Sequence, residues 1–341
     1  MAARPSPIWR YVLKFAVSGA LVWLLLRNRD LGGLAREMLA VEPTALLTAA
    51  AGLFLLLLPQ AFRWSVVLAA MGHRRGLRIS LPLTMIGLFF SQTLPTSIGG
   101  DGVRAWELHR DGVAMSTAVS SVLIDRAAGL LGVCLLITAT LPLLWDLVPN
   151  PAVQSGVVLL VAVGYAGIAV ALLLDRLPEA LSRFRVVRGV AALSTSLRAV
   201  ILEPRAALGA LGASLVYQLG IVAVVFALAR GIHIPVTPVA CLVIVPVANL
   251  SALLPISISG WGVREGAFVA GFGLVGVAAA DAIALSAVRA PRNAGGPGGR
   301  LGVARAAAAR AKRRGALRIS PIRGAWLLRR ARRGLGDASG P

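Results

Sequence analysis

The chain has 341 residues, of which 57% are hydrophobic and 14% charged, with a mean hydropathy of +0.80. Several apolar runs of about 20 residues, the length that crosses a roughly 30 Å hydrocarbon core, exclude a soluble globular domain, and their lack of alternating polarity excludes a β-barrel. The net charge of +21 is not a nucleic-acid signature, because fourteen Lys or Arg against one Asp from Arg289 onward supply +13 of it, and the rest suits basic cytoplasmic loops.

In chain order, Arg4, Arg10 and Lys14 precede an apolar run that ends at Leu26 and is closed by Arg27 and Arg29, with no small-residue cleavage site. That predicts an uncleaved first span with a cytoplasmic N-terminus. The loop from Asn28 to Pro43 leads to a second run, about Thr44 to Phe62, followed by Arg63 and Trp64 and by His73, Arg74, Arg75 and Arg78. The Arg–Trp pair reads as an interfacial anchor and the basic cluster as cytoplasmic. The third run, Ile79 to Ile98, holds Pro82 and Pro95 and ends in the segment Leu94 to Arg104, LPTSIGGDGVR. Two further spans, about Ala127 to Trp145 and Val153 to Leu174, are separated by a tight turn at Asp146 to Pro151. The Arg-bearing stretch 175–205 after them is predicted to be a cytoplasmic linker.

If both basic regions are cytoplasmic and two ordinary spans lie between them, Ile79 to Arg104 must enter and leave on one side, as a re-entrant hairpin. Pro95, Gly99, Gly100 and Gly102 suit a broken backbone at membrane depth, which needs surrounding protein or a water-filled cavity. The segment returns at an offset of 160 residues as Leu254 to Arg264, LPISISGWGVR, with eight of eleven positions identical, including the Pro, two Gly and the Arg. Such a match reads as an internal duplication. In the second half, Ala206 to Ala229 crosses outward, Val239 to Ile258 with Pro246 and Pro255 dips in from outside, and Gly266 to Ala287 returns. The predicted fold is therefore all-α and polytopic, with about 6–8 membrane helices including two re-entrant hairpins in an inverted repeat. Its transmembrane domain covers 1–287, with halves at roughly 44–174 and 206–287.

Each motif copy places an Arg after a Gly-rich turn, with Thr96 and Ser97 in the first and Ser257 and Ser259 in the second. A guanidinium matches a phosphate bidentately, and turn amides and a helix N-terminus favour the same anion. A phosphate headgroup is one reading of Arg104 and Arg264. The other is that they pair with Asp101, Glu107 or Glu265 and only hold the turn. Asp125 and Arg126 either sit at headgroup level before the run that starts at Ala127, or lie inside a helix that begins near Met115.

Several signals carry no chemistry. Gly271, Gly273 and Gly276 form GxGxxG inside an apolar helix without a preceding strand, which fits helix packing better than nucleotide binding. Cys134 and Cys241 lie in apolar runs, the three His are isolated, and no nucleophile–base motif or P-loop occurs, so no catalytic residue, metal or cofactor is expected.

Arg63-Trp64, LPTSIGGDGVRAWELHR, SVLIDRAAG and LPISISGWGVREGAF together resemble the transmembrane, flippase-like domain of lysylphosphatidylglycerol synthases and its stand-alone relatives, over Tyr11 to Ala287. The resemblance implies a multi-pass cell-membrane protein that translocates a phospholipid or a polyprenyl-phosphate-linked lipid. It implies cavities lined by Gly99, Gly100, Asp101, Arg104, Asp125, Arg126, Gly262, Arg264 and Glu265, to which the turn chemistry adds Ser97 and Ser257. An integral-membrane enzyme or a scaffold in lipid or envelope-glycan synthesis is the alternative, and a separate synthase, a glycosyltransferase or a second copy are the protein partners it admits. The soluble transferase domain of the full synthases is absent from this sequence. After Ala287 the likeness stops, and GGPGGR, Ala-Arg repeats and RRARR have the composition of a shifted reading frame in GC-rich DNA. Residues 288–341 are thus expected to be a basic, disordered tail or a polybasic segment against anionic lipid.

Overall fold

The computed structural model describes Gly19 and residues 42–93, 99–173, 185–253 and 262–289, all within the compact unit Met1–Pro291. The predicted first span, both motif tips with Pro95, Thr96, Ser97, Pro255, Ser257 and Ser259, and the basic tail beyond Arg289 lie outside these residues. The described chain is helical, with no strand: α1 Pro43–Leu55, α2 Leu57–Ala70, α3 Leu77–Thr93, α4 Gly99–Arg110, α5 Met115–Leu147, α6 Pro151–Leu173, α7 Arg185–Leu202, α8 Pro204–Gly231, α9 Pro238–Ser251, α10 Val263–Leu274 and α11 Ala279–Arg289. Among the described residues, four stretches are long and apolar enough to cross a membrane: Pro43–Ala70, Met115–Leu147, Pro151–Leu173 and Pro204–Gly231. The protein is a polytopic helical membrane protein.

Local sequence sets the boundaries. Pro43, Pro151, Pro204 and Pro238 each open a helix, where the missing N–H has no partner to lose. Asn150 Oδ1 accepts the amides of Ala152 and Val153 at the start of α6, and Thr237 Oγ1 accepts that of Ala240 at the start of α9, both as N-caps. Leu56 interrupts Pro43–Ala70 without ending it, because Pro59 removes the N–H due to Leu55 and crowds that carbonyl.

The frame is an antiparallel pairing of α1–α2 with α8. Ala45 meets Gly231, Gly52 meets Val224, Leu56 meets Gly220 and Val66 meets Gly209, so the contacts run backward along one helix as they run forward along the other. Gly209, Gly220 and Gly231 recur every eleven residues, three helical turns, and share one face. A Cβ on Gly52 would lie 2.7 Å from Val224 Cγ2, and one on Gly220 would overlap the Leu56 side chain. In hydrocarbon, where lipid tails are as apolar as Leu, such close backbone approach is what draws helices together.

Two short-armed hairpins pack on this frame. In α3–α4, Gly87 faces Arg104 and Ser91 faces Gly100, an antiparallel register centred on the undescribed tip. In α9–α10, Ile244 packs on Gly271 in the same manner. By the helical rise α4, α9 and α10 are only about 18–21 Å long, too short to cross a roughly 30 Å core singly. The open end of the first hairpin packs on the start of α5, where Leu83 and Leu108 join Val113, Ala118 and Val122. That of the second packs on the end of α5, where Val243, Ile244, Gly271 and Leu274 share a small cavity with Leu144 and Val148. The hairpins therefore run along α5 from opposite ends, as an inverted repeat requires.

Two expectations need correction, and one stretch gains detail. The single span Gly266 to Ala287 is two helices, α10 and α11, divided at a turn where Gly276 adopts φ +82°, a left-handed backbone that glycine tolerates. Of the three glycines read as one packing motif, Gly271 packs on Ile244, Gly276 makes this turn, and Gly273 faces open space. The stretch 175–205 contains a helix, α7, whose Leu197 and Val200 are buried with Val67, Ile124 and Ala206. Its Ser194 hydroxyl and Arg198 guanidinium donate to the Leu172 carbonyl at the end of α6, both at 3.0 Å.

Overpacking a close helix contact costs about 1–3 kcal/mol. Gly220→Ala should lower the thermal unfolding midpoint in detergent clearly, and Gly212→Ala, where a Cβ would meet nothing within 4 Å, should not. Equal midpoints for the two variants would contradict the α1–α2/α8 register.

Candidate functional site

The site begins with Asp125. The helix that carries it starts at Met115, so Asp125 lies about 15 Å inside α5 by the helical rise, and it has no exposed surface. This decides between the two readings of the Asp125–Arg126 pair. Each carboxylate oxygen has its own cation: Arg63 Nε on α2 donates to Oδ1 at 2.7 Å, and Arg104 Nη2 on α4 to Oδ2 at 3.1 Å. Arg63 and Arg104 are 6% and 3% exposed, so all three charges are out of solvent.

Neighbouring residues hold the two arginines in place. The Arg104 guanidinium lies 4.2 Å from the centre of the Trp64 ring, a cation–π contact strengthened by burial. Trp64 Nε1 donates to Ser121 Oγ at 3.2 Å, and Ser121 donates to the Ala118 carbonyl at 2.8 Å. Arg63 Nη1 donates to Ser214 Oγ on α8 at 3.4 Å. Glycines make the room: a Cβ on Gly129 would sit 2.9 Å from Arg63 Nη1, and one on Gly87 2.5 Å from Arg104 Cγ. Arg63 and Trp64 are thus not the interfacial anchor their sequence suggested. They face inward because Asp125 needs a cation there and α8 covers the other side.

A second, outer pair lies beside the first. Arg126 donates from Nε and Nη2 to Asp101 Oδ2 and Oδ1 at 2.9 and 3.1 Å, and Arg104 Nη1 lies 3.6 Å from Asp101 Oδ1. Residues one turn apart on α4, Asp101 and Arg104, thereby cross with neighbours on α5, Arg126 and Asp125. The Arg126 side chain is 48% exposed. The cluster holds three guanidiniums and two carboxylates, a formal charge of +1, and Arg104 Nε is buried without a hydrogen-bond partner among the described residues. Gly99 and Gly100 open α4 beside it, with Gly100 packed on Ser91 and the Gly87 carbonyl.

The second motif copy folds differently. Gly262 adopts φ +85° at the start of α10, and its amide donates to Glu265 Oε2 at 2.7 Å, the half of a capping box that a residue without a side chain allows. Arg264 donates from Nη2 to Glu265 Oε1 at 2.8 Å, and Ser286 adds 3.3 Å from α11. Arg264 therefore bends onto its own neighbour, whereas Arg104 reaches across to α5. The part of α5 that packs with α9, including Val133, Ile137 and Leu144, is apolar and offers no counter-charge. Glu107 pairs with Arg110 at 3.3 Å on the surface and takes no part.

Of the sequence-predicted residues, Gly99, Gly100, Asp101, Arg104, Asp125 and Arg126 come together, and Gly262, Arg264 and Glu265 form a separate group. Ser97 and Ser257 lie outside the described residues. Sequence reasoning missed Arg63, Trp64, Gly87, Gly129 and Ser214. The available signal was Asp125 itself, since an acidic residue inside an apolar helix calls for a cation from another span.

A family model described as the lysylphosphatidylglycerol synthase TM region matches residues 11–290. No curated protein and no solved structure matches the chain.

Asp125→Ala would leave two buried guanidiniums facing each other, and breaking a buried pair from one side costs about 3–5 kcal/mol. Asp101→Ala acts on a pair whose Arg126 is half in solvent and should cost about 1 kcal/mol or less. Thermal unfolding of both variants in one detergent tests this, and an Asp125→Ala protein as stable as Asp101→Ala would mean that the inner pair does not form.

Proposed function

Because the chain belongs to the lysylphosphatidylglycerol synthase transmembrane-region family and is a membrane protein of lipid-related processes, we propose that it translocates a phosphate-bearing lipid. The lipid is a phospholipid or a polyprenyl-phosphate-linked carrier, moved between leaflets of the cell membrane by a protein whose N-terminus is cytoplasmic. The observation that carries this reading is the charge cluster between α2, α4 and α5, with one guanidinium more than carboxylates. Ionisable side chains within membrane helices mark substrate or ion pathways, so a cluster with a surplus guanidinium and a half-exposed Arg126 points to a transient anion.

The chemistry is an exchange of carboxylate for phosphate. Half-exposed Arg126 meets the headgroup first, and its bidentate grip on Asp101 has the geometry that a phosphate can take over. Release of Asp101 frees the first turn of α4, where the Gly99 and Gly100 amides and the helix dipole favour an anion. Arg104, with a spare N–H, is the next donor inward. Asp125 does not bind the lipid directly; it keeps Arg63 and Arg104 in place while the headgroup passes. Ser97, two residues before Gly99 in sequence, adds a hydroxyl to this route. Hairpins running from opposite ends of α5 supply the two gates of alternating access, and Gly262, Arg264, Glu265 and Ser257 act on the far side, where Glu265 is the carboxylate that the phosphate displaces.

Reconstitution into vesicles with fluorescent phosphatidylglycerol or a short-chain polyprenyl phosphate tests this. Wild-type protein should speed leaflet exchange, Arg126→Ala and Arg104→Ala should each slow it at least about tenfold, the loss of one charge-assisted contact, and Arg110→Ala should leave it unchanged. Exchange at the wild-type rate in an Arg104→Ala/Arg126→Ala protein would refute the reading, and chemical turnover of the lipid without exchange would favour an enzyme.

A further inference from the structure

A second feature lies on the other side of α5. A cavity of about 160 Å³ opens between α5, α6, α7 and α8, with Ile124, Ala128, Ile168, Leu197, Ala207 and Leu211 in its wall, and every residue lining it is Ala, Val, Leu or Ile. An apolar cavity of roughly this volume stays dry and takes up a group the size of benzene. Its rim includes Leu208, 71% exposed, and Ile201, 39% exposed. Leu208 belongs to a membrane-crossing helix, so the mouth faces lipid tails.

The corner between α7 and α8 stands over this mouth. Arg205 is exposed in the first turn of α8, whose N-cap residue Glu203 makes no side-chain capping bond. By the helical rise Arg205 lies about 5 Å from Leu208 and 9 Å from Leu211 along the axis. Arg198 on α7 is engaged with the Leu172 carbonyl, so the guanidinium that matters beside the rim is that of Arg205, next to the Glu203 carboxylate in sequence. An exposed guanidinium in the dipole-positive first turn of α8, above an apolar slot, matches one amphiphile, an anionic phosphate joined to a hydrocarbon chain.

We propose that this cavity seats one acyl chain of a resident phospholipid whose phosphate is held at Arg205. The cavity shares backbone with the charge cluster. The carbonyls of Ala128 and Ala210, both in its wall, lie 3.0 and 2.9 Å from Ser214 Oγ, the atom that receives Arg63 Nη1. A chain in the slot therefore braces the wall that positions Arg63. The site differs from the transport route, because Arg126 projects from the opposite face of α5, about 160° from Ile124 and Ala128 by helical periodicity.

The test reads binding and stability, not exchange. Delipidated full-length protein is titrated with dipalmitoyl- or dihexanoyl-phosphatidylglycerol and with dipalmitoyl-phosphatidylcholine, followed by native mass spectrometry and thermal unfolding. Wild-type protein should retain one dipalmitoyl-phosphatidylglycerol, bind the short-chain form at least about tenfold more weakly, as loss of a few buried methylenes requires, and unfold at a higher temperature when loaded. Ala207→Phe and Ala127→Leu, which fill the slot, should each abolish the retained lipid without lowering the lipid-free midpoint, and Arg205→Ala should erase the preference over phosphatidylcholine. Equal affinity of wild-type protein for the two chain lengths would overturn the proposal even if neither filled variant folds. So would undiminished retention in a folded filled variant, or an intact headgroup preference in Arg205→Ala.

Discussion

Asp125 sits in α5 with no solvent contact and one guanidinium on each oxygen, and the inner half of the molecule is arranged around that fact. A carboxylate at this depth is tolerable only when paired and hydrogen-bonded, so α2 must present Arg63, α4 must present Arg104, and both must reach it together. Trp64, Ser121, Ser214, Gly87 and Gly129 follow from that need, as a ring to cover one cation, hydroxyls to orient the partners and missing side chains to admit them. A buried ion pair is weak evidence for net stability, because desolvation offsets most of the attraction. Its effect is on position: it ties the first hairpin to the longest described helix at one register.

The duplicated motif shows how the same residues acquire different roles from what lies opposite. Arg104 and Arg264 follow the same Gly-rich turn, yet one joins an inter-helix network and the other closes on the adjacent Glu265. The difference lies in α5, which offers Asp125 near one end and Val133, Ile137 and Leu144 toward the other. Antiparallel hairpins on one long helix sample two unlike surfaces, so a pseudo-symmetric scaffold carries an asymmetric pair of sites.

The small-residue frame is the second constraint. Gly52, Gly209, Gly220 and Gly231 let α1–α2 and α8 approach until side chains of one touch the backbone of the other. Lipid gives no hydrophobic drive to such an approach, so the contact depends on fit. It brings Ser214 against Arg63, and it leaves an apolar slot between α8, α7 and α5 where the fit stops.

Composition and run length alone determined that this is a helical membrane protein, since no soluble core absorbs that much apolar length, and the repeated Pro, Gly and Arg pattern foretold two broken, oppositely placed hairpins. Even the acidic residue in α5 was visible as an anomaly. What only the tertiary structure decided is which cation answers it: Arg63, at the end of an apolar run, reads from sequence as a headgroup anchor and turns inward because α8 and Asp125 meet it there. The turn at Gly276 and the helix in 185–202 escaped for a related reason. In an Ala- and Leu-rich chain nearly every segment favours helix, so local propensity cannot mark where one must break, and the contacts that choose lie between residues distant in sequence.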